Sequence, residues 1–381
     1  MTHNKLLNVV SVLIVLGFIL TSCAAPTEVP AQPSVTEPPA TQEPVVVQPT
    51  VVEPVVVEPT AETPTVEMPK QVQFCSMYST SITENGWDRS GYESFLRFAK
   101  NPGMDIEVKE LKFTEGLYGD EADAAMRAFA ESGCDIIWGH GGYNDIVIPI
   151  SKAYPDVMFI EVGSGNIEAV GNHYHYMNRC YDGAYLMGVL AALMTEGTAI
   201  GAVGGFPAED VNDNINGFFE GAKSITPALK QKVSFINSWY DPVAAGELAE
   251  AQKAAGADML FMLAENFDVC GEGKNAMCFG PYIDFSEFYP GAVMASFLTT
   301  WDPAYEWALQ EWVKAKTTGV WEGKPYGFEN NMASSACTIK LGAGIEETLP
   351  ADVLTKYNAT YEGIMNGTIV PTKNIEEPGS E

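Results

Sequence analysis

Positive charge is scarce in this chain: 21 lysines and arginines face 50 aspartates and glutamates, a formal net charge of −29. Such a surface repels phosphate backbones, so a nucleic-acid partner is excluded as the main one, and it gives no electrostatic hold on anionic lipid. Histidine is scarcer still, at four residues. No His-Glu-x-x-His, no Gly-x-Ser-x-Gly elbow, no Gly-x-Gly-x-x-Gly and no Walker lysine occur. Hydrolytic and nucleotide-cofactor chemistry therefore lack their usual carriers, and no cofactor is called for. His173-Tyr174-His175 places two imidazoles on one strand face. With no third ligand this reads as a strand pattern and not a metal pair. Cys-x-x-Cys is also missing, which removes zinc-ribbon and thioredoxin readings.

Long apolar runs are absent except one, Leu6 to Leu20, preceded by Lys5 and followed by Thr21-Ser22-Cys23. The run is short for a stable membrane span and reads as the core of an export signal, residues 1–22. A small residue before a cysteine at its end resembles a bacterial lipobox, which implies that Cys23 becomes the lipidated first residue of the mature chain. Prolines then recur every five residues at Pro39, Pro44, Pro49, Pro54, Pro59, Pro64 and Pro69. Proline fixes φ and removes a donor, so residues 23–70 are expected to be an extended spacer, on the order of 100 Å if fully stretched.

From Gln71 the pattern changes to alternating strands and helices. Strands are expected at 72–77, 106–111, 134–139 and 156–163, with helices at 89–100, 119–132 and 145–153 between them. A second series follows: strands at 199–204, 232–237, 258–264 and 276–282, helices at 185–194, 211–224, 243–255 and 303–316. Continuous apolar strands alternating with helices indicate parallel sheet and the α/β class. Six cysteines remain beyond Cys23. Cys75 and Cys134 lie in apolar runs and read as buried thiols; Cys270 and Cys278 flank a glycine-rich loop and read as a local disulfide.

In doubly wound sheets ligands bind beyond the carboxyl ends of strands. Those ends carry Asn85-Gly86-Trp87-Asp88, Gly139-His140-Gly141-Gly142-Tyr143-Asn144, Gly204-Gly205-Phe206-Pro207, Ser238-Trp239-Tyr240-Asp241, Glu265-Asn266-Phe267-Asp268 and Tyr282-Ile283-Asp284. An aromatic beside a carboxylate or amide at nearly every end suits a flat, ring-containing ligand oriented by a few polar groups.

Several stretches, in order, resemble the basic membrane protein (BMP) family of ABC-importer substrate-binding lipoproteins, which includes purine nucleoside receptors. They are Gly86-Trp87-x4-Tyr92-Glu93, Ala153-Tyr154-Pro155-Asp156-Val157-x-Phe159, Tyr181-Asp182-Gly183-Ala184-Tyr185-Leu186-x-Gly188, Gly204-Gly205-Phe206-Pro207 with Asn216-Gly217-Phe218, Trp239-x-Asp241-Pro242, Gly256-Ala257-Asp258 and Trp301-x-Pro303-x-Tyr305. The resemblance covers roughly residues 72–325. It implies a type I periplasmic-binding-protein fold, with two Rossmann-like lobes joined by a multi-strand hinge: residues 71–178 with about 297–370 as the first lobe, 179–296 as the second. It also implies a purine nucleoside or related ligand passed to a permease and its ATPase. Trp87 with Phe206 or Trp239 would clamp the base, and Tyr143, Asn266, Asp284 and Trp301 would line the rest. Gly163 and Ser164 stand where some members carry an aspartate, and Thr299, Thr300 and Trp301 where others carry a lysine. The rival readings are a sugar or other small solute on the same fold, and an exported enzyme. A repressor of this fold is set aside for want of a helix-turn-helix.

Overall fold

The computed structural model describes residues 67–381 apart from 164, 166, 167, 328 and 329. The export signal, Cys23 and all but the end of the proline-rich stretch lie outside the described residues.

The first series builds β1 (Gln71–Val72), β2 (Phe74–Tyr78), α1 (Gly86–Lys100), β3 (Glu107–Val108), β4 (Lys112–Glu115), α2 (Gly119–Glu131), β5 (Ile136–His140), α3 (Asn144–Ala153), β6 (Met158–Val162) and β7 (His173–Tyr176). The chain then crosses to a second body: α4 (Tyr181–Met194), β8 (Ala199–Gly204), α5 (Glu209–Ile225), β9 (Lys230–Phe235), α6 (Pro242–Ala254), β10 (Ala257–Met262), β11 (Met277–Gly280) and β12 (Val293–Thr299). It returns for α7 (Asp302–Thr318) and β13 (Pro325–Tyr326), and crosses again for β14 (Cys337–Leu341) and α8 (Ala351–Met365). The sheets run β13-β7-β6-β5-β2-β4 and β14-β12-β11-β10-β8-β9. Every pairing in them is parallel except β12 with β14. This is the two-lobed, type I periplasmic-binding-protein architecture that the strand-and-helix alternation and the resemblance led us to expect.

The lobe boundary differs from expectation. The first lobe takes only α7 and β13 from the carboxyl-terminal third. β14 pairs antiparallel with β12, Ser296 opposite Lys340, and α8 packs on α4, so 337–365 belongs to the second lobe. The expected boundary near residue 297 falls inside β12. The strand beside β2 is also not 106–111 but β4, Cys75 opposite Lys112. β4 is an edge strand rich in charge and mostly exposed, so it carries no apolar signature. Ile106 instead enters the core, and the chain beside it pairs with β1. Nor are Cys75 and Cys134 free thiols: they form a disulfide between β2 and the turn that leads into its neighbour β5, Cα atoms 5.9 Å apart. Cys180–Cys337 and Cys270–Cys278 are the other two bridges among the described residues.

The three crossings are stitched together. Asn178 donates to the carbonyls of Thr300 (3.4 Å) and Ala336 (3.5 Å), Thr300 N–H donates to Ala336 O (3.0 Å), and Arg179 N–H donates to Asn330 O (2.9 Å). Cys180–Cys337 adds a covalent tie between two of them.

Within the second lobe α4 and α5 meet backbone to backbone. A Cβ on Gly188 would lie 1.8 Å from the Phe218 carbonyl oxygen, and one on Gly221 would lie 2.0 Å from Tyr185 O. Such contacts cannot relax by rotating a side chain. Gly188→Ala is expected to destabilise the protein by roughly 3 kcal/mol or more, read as a lower denaturant midpoint; a midpoint within 0.2 M (about the error of such fits) of the parent would contradict this packing.

Candidate functional site

The carboxyl ends of β2, β5, β8 and β10 open on a cavity of about 430 Å³ between the lobes. The first lobe contributes Ser79, Thr80, Asn85, Trp87, Gly141, Gly142 and Asn144; the second contributes Pro207, Glu209, Asp210, Trp239, Glu265 and Tyr282. Among the described lining residues none is lysine, arginine or histidine.

Trp87 is set by the start of α1. Asn85 caps the helix, its Oδ1 accepting from the Asp88 N–H at 3.2 Å. Trp138 Nε1 donates to His140 Nδ1 (3.0 Å), so the proton of this imidazole sits on Nε2 and points to the Trp87 carbonyl, 3.2 Å away. Burial pushes the His140 pKa down to about 3, so the ring stays neutral. The Trp87 indole packs against His140, Trp301 and Tyr282 at centroid distances of 5.1, 5.0 and 5.2 Å. Asp88, one residue on, is buried and holds the β2–α1 loop by accepting from the N–H and hydroxyl groups of Ser79 and Thr80. Burial raises its pKa to about 7 in spite of those four donors.

From the second lobe Glu265 reaches across: its Oε2 accepts from the Gly86 N–H at 2.8 Å, at the amino terminus of α1. Its Oε1 is buried with no hydrogen-bond partner among the described residues. Burial, opposed by the α1 amides, raises its pKa to about 8. Asp210, in the first turn of α5, likewise leaves Oδ1 buried and unpartnered. Beside it, Arg179 pairs with Asp213 (2.8 Å) and Glu209 (3.3 Å). Glu265 (φ 56°) and Tyr282 (φ 66°) both adopt left-handed backbone, a conformation that costs energy for residues with side chains and concentrates at binding sites.

Of the residues expected to form the site, Trp87 and Trp239 line this cavity from opposite lobes. Phe206 lies behind Trp239, centroids 4.9 Å apart and edge-on. Trp301 is fully buried beneath Trp87, with Nε1 donating to Ser90 Oγ at 2.8 Å. Tyr143 is buried in the first-lobe core, its backbone N–H on Glu161. Asn266 turns away to donate to Pro242 O (2.5 Å) and to receive the Asp268 N–H. Asp284 caps the turn Phe285–Glu287 and pairs with Lys340 (2.5 Å), beside a separate groove. Sequence reasoning passed over Asp210, and it named Glu265 and Tyr282 only as strand-end neighbours. His173 and His175 each meet a backbone carbonyl, those of Glu168 and Gly163.

A family model described as ABC transporter substrate-binding protein, PnrA-like, matches residues 71–319. The chain is 29% identical over 233 residues to a purine-binding protein of Brucella abortus, covering 60% of this chain and 65% of that protein. It is also 29% identical over 257 residues to a Haloferax volcanii protein named as an ABC transporter glucose-binding protein, covering 62% and 63%. The matches thus span a little under two thirds of these relatives' lengths. Among solved structures, a solute-binding protein of an Aeropyrum pernix ABC transporter superposes with TM-score 0.61 at 15% identity, over 80% of this chain and 94% of that one. A transcriptional activator of the comK gene from Bacillus halodurans superposes with TM-score 0.59 at 19% identity, over 79% and 100%. These two likenesses establish the fold. The family match across 71–319 places the chain among the substrate-binding proteins of ABC transporters: it belongs to the BMP family.

Proposed function

We propose that the protein captures a purine nucleoside or a related ring-containing solute between its lobes and delivers it to a membrane permease driven by an ATPase. The observation that carries this reading is one cavity flanked by Trp87 from the first lobe and Trp239 from the second. Two indoles grip a planar ring, and the orphaned oxygens of Glu265 and Asp210 accept from ligand hydroxyls or amines. Capture shifts the population of open and closed lobes, and no bond is made or broken. The Brucella relative's name supports a purine. The Haloferax relative's name, taken with the indoles and carboxyl groups of this cleft, favours a hexose as the second reading. Titration calorimetry with adenosine, guanosine, their free bases and glucose distinguishes them. Glucose binding without nucleoside binding would hand the site to the sugar.

The protein acts from an extracytoplasmic membrane surface, held by acyl chains on Cys23. Cys23→Ala is expected to move it from the membrane fraction to the soluble one; retention in the membrane would refute the anchor.

Capture is expected to depend on pH through Glu265. A ligand donor on Oε1 favours the ionised form, while burial holds the empty site's pKa at about 8. Binding therefore releases a proton below pH 8. Affinity should rise by up to about tenfold per unit from pH 6 to 8 and then level off. Asp88 on α1, near 7, titrates in the same window, and Tyr282 also faces Glu265. Glu265→Gln separates them: it should flatten the profile, and an unchanged profile would assign the titration to Asp88.

A further inference from the structure

A helix amino terminus at the end of a strand is a ready anion site, because its first amides lack partners and its dipole is positive. Three such termini face this cavity, those of α1, α3 and α5. Each already has a carboxylate of the protein itself. Glu265 Oε2 takes the Gly86 N–H at α1 (2.8 Å). Glu161 Oε1 takes the Tyr143 N–H at the start of α3 (3.2 Å), with the glutamate fully buried. At α5, Glu209 and Asp210 occupy the first turn itself. At α1 and α3 the glutamates take amides that a phosphate would need; at α5 no side chain caps the amides, but Glu209 and Asp210 put two acidic groups in the turn that a phosphate would approach. The described lining residues include no cation to replace them, and Arg179, 2% exposed at its side chain, is engaged by Asp213 and Glu209. What remains unpartnered in the lining is carboxyl oxygen, Glu265 Oε1 and Asp210 Oδ1, on residues 7% and 8% exposed, and Glu265 becomes an acceptor there once binding ionises it.

We infer that the cleft is built to reject phosphorylated and other anionic solutes and to admit neutral or cationic ones that bring at least two hydrogen-bond donors, one for Glu265 and one for Asp210. The inference rests on this cleft being the solute site, though not on the solute being a nucleoside. It also places the protein in a sequence of reactions. Where the solute derives from a phosphate monoester, hydrolysis precedes capture: water attacks phosphorus, the phosphorus–oxygen ester bond breaks, and the products are the free hydroxyl compound and inorganic phosphate.

Calorimetric titration of the full chain with adenosine, adenosine 5′-monophosphate and inorganic phosphate provides the first test. The monophosphate is expected to bind more than about a hundredfold more weakly than adenosine, the scale set by burying an uncompensated charge, and inorganic phosphate not at all. A monophosphate affinity within tenfold of adenosine (about 1.4 kcal/mol) would overturn the inference. Failure of adenosine itself would sink the nucleoside reading alone, and a second arm then decides the present one without any ligand. In a Trp321→Phe background the other buried tryptophans are shielded, leaving Trp87 and the 41% exposed Trp239 to report on the cleft. At about pH 9, where Glu265 is ionised, caesium should quench their fluorescence several-fold more than iodide, and Glu265→Gln with Asp210→Asn should narrow that gap. Equal quenching by the two ions, or a gap that both substitutions leave untouched, would overturn the inference.

Discussion

Replacing Trp87 with alanine is expected to weaken solute binding about 30-fold, equivalent to about 2 kcal/mol. Stacking on a planar ring contributes about 0.5–1.5 kcal/mol beyond burial, and the lost apolar contact about 1 kcal/mol more. The indole is held by His140 and Trp301 of its own lobe and touches Tyr282 of the other, so it is presented to the cavity without further ordering. That preorganisation is why the loss should appear in full. Trp87→Phe keeps a smaller face and should lose about fivefold at most. Calorimetry on both, with circular dichroism to confirm folding, tests the assignment. Unchanged affinity in the alanine variant would remove Trp87 from the site.

The second large effect is on stability. Cys180–Cys337 closes a loop of sequence separation 157, while Cys270–Cys278 closes one of 8. Chain-entropy arguments give about 5 kcal/mol for the former and about 2–3 kcal/mol for the latter. Replacing both Cys180 and Cys337 with serine should therefore lower the unfolding free energy by roughly 3–5 kcal/mol, clearly more than the matching Cys270 and Cys278 change. The bridge also lies beside the crossings pinned by Asn178, so its loss loosens the point about which the lobes turn. Equal denaturant midpoints for the two double variants would contradict this account.

The fold was largely legible because its strands are buried on both faces and its helices alternate with them; β2, β5, β6, β8 and β10 are nearly continuous apolar runs. What escaped were elements without that signature. β4 is a charged edge strand, and β14 alternates buried and exposed positions in a segment assigned to the wrong lobe. The site was half legible for a related reason. Position after a strand marks a residue as near the cleft but does not say which way it faces. Trp87 and Trp239 face in. Asn266 turns to the Pro242 carbonyl and its neighbour Glu265 faces in instead. Asp284 is taken by Lys340, whose strand the sequence did not reveal. The Cys75–Cys134 pairing depended on β2 and β5 being neighbours, a long-range fact with no local trace.

Neither lobe is made from one continuous stretch of chain, and this bears on how the molecule comes into being. The first lobe waits for α7 and β13, and the second for β14, α8 and the cysteine at 337. A chain emerging amino terminus first has more than three hundred residues out before either sheet can be completed. Until then each nascent lobe lacks an edge strand and a covering helix. A polypeptide that threads unfolded through a translocation pore gains from such an arrangement, because the elements that complete each lobe arrive late.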